Sequence, residues 1–215
     1  MKTNKNFILK NRNLLSRKDI SYYFIGVFFL MLQLVLVLIN KNAQNYDIFY
    51  WFCNHVTLIL GIAFIFRKID IIKSMVNVGF LAQFFWTMDF FSKLVFDIYI
   101  FKFTDYVFEA MTGAIVAIPI LIHIFSTNIA FYFTYEHKTK SKVLLYSFIY
   151  LAILYLVTIL FTPNSSNINC VSHICGFKEY TFIGYNYLWV FIVFLVVIVP
   201  THLIQWWAYI LNKKT

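Results

Sequence analysis

Between Trp51 and Thr57 the chain reads Trp-Phe-Cys-Asn-His-Val-Thr, which sets a thiol, an amide, an imidazole and a hydroxyl among apolar residues within about two helical turns. Cysteine and threonine become nucleophiles once a base takes their proton, and histidine is the side chain best suited to do so near neutral pH. On a helix Cys53 and Thr57, four apart, share a face with Asn54 and Gly61, whereas His55 points away from Thr57. One helix therefore does not supply both partners of a dyad. His123, on a stripe with Pro119, Thr127 and Ala130, is the candidate base for Thr57, and Cys53 is the alternative nucleophile. The competing reading of Thr57 is structural, because threonine in an apolar helix commonly donates to the carbonyl four residues back.

Other polar groups extend this set into a candidate cavity network of Asn54, His55, Gln83, Asp89, Thr127 and His202. Asp89 is the acid placed clearly inside an apolar stretch, where a carboxylate is costly unless paired, protonated or hydrated; it serves either a polar site or the end of its helix. Gln83 suits hydrogen bonding between helices. His202 and Gln205 follow Pro200, which itself creates a need for polar partners. A metal site would have to recruit His55, His123, His202, Cys53 and Asp89 from four helices with no ligand spacing such as HExxH, so neither a metal nor another cofactor is expected. Cys170 and Cys175 lie in a polar loop and are expected to pair if that loop faces an oxidising compartment.

The elements that position these groups belong in a bilayer. Hydrophobic residues make up 61% of the 215 and charged residues 13%, against about 45–50% and about 25% in soluble domains. Apolar stretches predict six spans, at about 20–39, 48–66, 71–91, 107–135, 143–161 and 180–211, with Pro119 kinking the fourth. A basic tail over 1–19 precedes them and a short tail over 212–215 follows. Arg67, Lys68, Asp70 and Lys73 mark a turn between the second and third. Of the eighteen Lys and Arg, fourteen fall in the first tail, that turn, the 136–142 turn and the C-terminus. This asymmetry puts both termini in the cytoplasm and accounts for the net charge of +9 without a nucleic-acid partner.

The second to fourth spans together resemble the small membrane proteins grouped with transmembrane protein 164 and its bacterial relatives. The resemblance rests on His55-Val56-Thr57, on Gln83 through Thr87-Met88-Asp89, and on His123, and it covers about half of the chain. It implies a helical bundle and lipid acyl transfer through a nucleophile and a histidine. Thr57 stands where the family carries cysteine and Met88 where it carries proline; a similar Thr-plus-His arrangement occurs in the androgen-induced family of membrane lipid hydrolases. The expectation is an all-α, six-helix integral membrane bundle in the plasma membrane, acting on membrane lipid by acyl transfer or ester hydrolysis. A transporter or scaffold with a polar intramembrane cavity is the alternative. The residues single out no protein partner.

Overall fold

The computed structural model describes residues 17–42, 47–110 and 116–214, and every regular element among them is helical. The long helices are α1 (Arg17–Asn42), α2 (Phe52–Ile65), α3 (Ile69–Phe96), α5 (Ala117–Thr134), α6 (Ser141–Phe161), and α7 (Tyr185–Val193) continued by α8 (Val199–Lys214); α4 is a short turn of helix, Asp105–Ala110. Among the described residues four stretches are long and apolar enough to cross a membrane: Asp19–Lys41, Ala117–Thr134, Ser141–Phe161 and the rod Tyr185–Lys214. They fit a multi-pass membrane protein, since a helix satisfies its own backbone in an apolar solvent.

The other two long helices differ from these for visible reasons. α2 has 14 residues, about 21 Å at 1.5 Å each, because a separate 3-10 turn, Asp47–Tyr50, occupies the preceding stretch. α3 has 28 residues but carries Asp70, Lys73, Asp89 and Lys93. It runs through the middle of the bundle, packed on α2, α5, α6 and α8, so its polar groups meet protein. Lys73 is an example. The sequence places it in a turn, whereas it lies inside α3 with its side chain fully buried.

Within the helix predicted over 107–135 the described stretches are α4, to Ala110, and α5, from Ala117, with 111–115 outside the described residues. Pro119 thus falls in a first turn, where a missing N–H breaks no helical bond. Pro200 is the proline inside a helix. Its ring would crowd the carbonyl of Val196, four residues back, and the chain there widens into a π turn over Phe194–Ile198. The basic tail expected over 1–19 lies outside the described residues up to position 16, and α1 begins at Arg17.

The bundle has two distinct ends. At one, Arg67 pairs with Asp19 at 2.8 Å and Lys142 with Asp70 at 2.5 Å. At the other, the loops between α3 and α5 and between α6 and α7 meet, the latter closed by a Cys170–Cys175 disulfide of 2.06 Å. Between the ends, α1 crosses α2 at Gly26 and Gly61: a Cβ on Gly26 would stand 2.7 Å from the Gly61 carbonyl oxygen. Tyr22, Phe29, Phe64 and Phe133 pack beside this crossing, edge to face except for the tilted Tyr22–Phe64 pair.

Candidate functional site

A cavity of about 690 Å³ occupies the half of the bundle nearest the disulfide. Leu36 and Asn40 of α1, Cys53 and Asn54 of α2, Trp86 of α3, His123 of α5, Leu154 of α6 and Trp189 of α7 all line it. Val78, Val193 and Val197 line its deeper part, and Lys102, Asp105, Tyr106 and His173 belong to the loops and the short helix at its mouth. An apolar chamber with a few polar groups is the usual form of a small-molecule site.

His123 is the best-defined of those groups. Its Nδ1 lies 2.7 Å from the Pro119 carbonyl oxygen. A carbonyl only accepts, so the proton sits on Nδ1, and the neutral ring carries its lone pair on Nε2, the atom farthest from its own helix. The ring stacks on Trp86 with centroids 4.1 Å apart and planes 14° apart. Trp86 in turn stacks on Phe90 at 5.5 Å and 6°, and Phe90 on Phe108 at 5.3 Å. Trp86 and Phe90, one helical turn apart on α3, thus form a rigid backing for the imidazole, with stacking worth about 0.5–1.5 kcal/mol per pair.

Thr57 is fully buried, and its hydroxyl donates to the Cys53 carbonyl at 2.9 Å. It is not among the residues lining the cavity, whereas Cys53, Asn54 and His123 are. The Cys53 side chain packs against Leu36, Ile118 and Ile122, next in sequence to His123. His55 makes a short contact through Nε2 with the Phe49 carbonyl and also stands off the wall.

The remaining candidates have hydrogen-bond partners elsewhere in the bundle. Gln83 Oε1 accepts from Thr127 at 2.7 Å and Ser126 at 3.1 Å, joining α3 to α5. Asp89 is fully buried and accepts four bonds, from the backbone of Ile100, Phe101 and Thr104 and from the Thr104 hydroxyl, at 2.7–3.1 Å. That carboxylate folds the loop after α3. His202 belongs to a polar cluster nearer the basic end: Asn77 Nδ2 approaches His202 Nδ1 at 3.2 Å and Ser147 at 3.0 Å, while Gln205 Nε2 donates to Asn77 at 2.6 Å and to the Lys73 carbonyl at 3.0 Å. Lys73 Nζ donates to Thr139 at 2.9 Å. Among the described residues no group of three His, Cys, Asp or Glu could hold a metal ion.

Three residues were missed in the sequence: Trp86, which backs His123, and Asn169 and Asn167, which complete the mouth. Asn169 accepts from the Phe52 backbone and donates to the Tyr50 carbonyl and to Thr158, tying the disulfide loop to α2 and α6. Asn167 accepts from the backbone of Ser172 and His173 within the loop. Asn167 and Asn169 have positive φ, 44° and 56° respectively, a conformation asparagine tolerates better than most residues. The run Asn164-Ser-Ser-Asn-Ile-Asn169 carried that signal. Trp86 carried none beyond its ring. Compared with family models, curated proteins and solved structures, the chain matches none.

Proposed function

We propose that this is an integral membrane protein of six spans, with both termini in the cytoplasm, that takes a membrane lipid into the cavity beneath the disulfide loop. The observation that carries this reading is a chamber of about 690 Å³, large enough for a drug-sized ligand, which needs about 300–1,000 Å³. His123 stands on its wall and is the group from which acyl transfer or ester hydrolysis would run. Cys53 shares that wall; Thr57, bonded to its own helix, is the weaker nucleophile. Two independent features support the orientation. A disulfide persists in an oxidising compartment, and Arg67, Lys68, Lys138, Lys140, Lys142, Lys213 and Lys214 gather at the opposite end, as expected for the cytoplasmic face of a cell membrane.

Native mass spectrometry of protein purified in mild detergent tests the proposal. Wild type should retain a lipid that Ala82→Trp, which fills the chamber from α3, releases. Equal lipid content in both, with both folded, would remove the reading.

One observation favours transport as a second reading. The polar cluster of Asn77, Ser147, His202 and Gln205 begins at the residue before Val78 of the chamber lining and lies on its basic-end side. A carrier exposes that cluster to the cytoplasm during its cycle, so Ser147→Cys should react with thiol reagents from that side; a protein that works only from the outer half keeps it protected.

A further inference from the structure

We infer, on the basis of the lipid-binding reading above, that the molecule in the cavity ends in a neutral group that both donates and accepts a hydrogen bond, such as a hydroxyl or primary amide, and that Trp86 and His123 hold that group.

The indole of Trp86 is 5% exposed, lines the cavity, and its Nε1–H has no hydrogen-bond partner. The Tyr106 hydroxyl lies beside that N–H without completing a bond of normal geometry. Buried indole N–H groups normally find an acceptor, and here the candidates are the Tyr106 hydroxyl and a group in the cavity that both side chains line. The neighbouring ring offers the opposite function. His123 spends its only proton on the Pro119 carbonyl, which leaves Nε2 as an acceptor. Because the two rings are stacked at 4.1 Å, the donor and the acceptor are held in a fixed relation, and a group with one hydrogen and one lone pair answers both.

The surroundings select against a charged head at this level. Cys53, Ile118 and Ile122 flank His123, and an ion placed among them loses its hydration with no counter-charge. Lys102 and Asp105, the charged residues on the cavity lining, lie in the chain that closes its mouth. The ligand therefore points its head towards the loops, one turn of α3 below the Asp89 clamp, and its tail towards Val78, Val193 and Val197.

The test is a panel of probes with one chain length and different heads: hexadecanol, hexadecanamide, hexadecanoate, hexadecyltrimethylammonium and hexadecane, each competing with a fluorescent lipid for the purified protein. Hexadecanol and hexadecanamide should bind at least tenfold more tightly than hexadecane and the ammonium. Trp86→Phe keeps the stack and removes only the N–H, and should cut that preference below threefold. His123→Phe, which keeps a ring and removes the acceptor, should do the same, with thermal unfolding confirming that both variants are folded. Equal binding of all heads, or an undiminished preference in both variants, overturns the inference. So does tightest binding of hexadecanoate lost in Lys102→Gln, which makes the mouth an anion site while leaving lipid binding intact. Failure of every probe, the fluorescent lipid included, removes the lipid-binding reading and this inference with it.

Discussion

At the scale of single residues, the hydrogen-bond partners separate chemistry from architecture. Asp89 meets four donors in the loop that follows its helix. Removing it leaves buried backbone N–H groups unmet, at a cost of roughly 1–3 kcal/mol each where water cannot reach them. Asp89→Ala should lower stability by about 3 kcal/mol in detergent unfolding, and Asp89→Asn by about 2, since an amide turns an NH2 towards some of those donors. Equal stability of wild type and Asp89→Ala would show that the loop is held by other contacts. Thr57 gives the opposite expectation. Its hydroxyl bonds one carbonyl already used by its own helix, so Thr57→Val should cost about 1 kcal/mol or less and leave lipid retention unchanged. Loss of the retained lipid from a stable Thr57→Val protein would return the hydroxyl to the site. Depth and spacing made Thr57, Cys53 and His123 visible as a group, but which hydroxyl is already satisfied depends on the rotamer, and spacing does not contain it. Asp89 was legible as costly and as lying near a helix end, while its partners, 11 to 15 residues further on, depend on how the following loop turns back.

At the scale of elements, lipid supplies little apolar driving force between helices, so close approach and polar links hold them together. The α1–α2 crossing is the clearest case. A Cβ at Gly26 meets the Gly61 carbonyl oxygen at 2.7 Å and the Ile65 amide nitrogen at 2.9 Å, and both are backbone atoms that cannot turn aside. Gly26→Ala should therefore destabilise by about 1–3 kcal/mol through forced separation of the two helices, seen as a lower unfolding temperature. An unchanged temperature would mean that the helices slide apart without loss. Apolar length made α1, α5, α6 and the α7–α8 rod legible. The place of Pro119 in the first turn of α5 was not, because Val107 to Tyr135 reads as one apolar run with Pro119 in its interior. Lys73 escaped for a related reason. A lysine beside Asp70 after a charged turn resembles another turn residue, and its partner Thr139 is 66 residues away.

At the scale of the whole molecule, the two ends are built from different chemistry, and that difference is what the proposed orientation in the membrane rests on. One end carries the Arg67–Asp19 and Lys142–Asp70 pairs and most of the surplus positive charge; the other carries the disulfide and the cavity mouth. Positive residues are retained on the cytoplasmic side during insertion, and a disulfide forms where the compartment is oxidising, so both signals favour the proposed arrangement. The native cysteines allow a direct measurement, because Cys53 is buried and the other two are bonded to each other. Lys140 and Glu179 are both exposed and sit at opposite ends, so Lys140→Cys and Glu179→Cys each introduce one reactive thiol. A membrane-impermeant maleimide applied to intact cells should label position 179 and not position 140, with position 140 becoming reactive once the membrane is opened. Labelling of position 140 alone would invert the bundle, turn the cavity mouth to the cytoplasm and place the disulfide in a reducing compartment. Labelling of both in intact cells would mean that the helices between them do not cross the membrane in the proposed order.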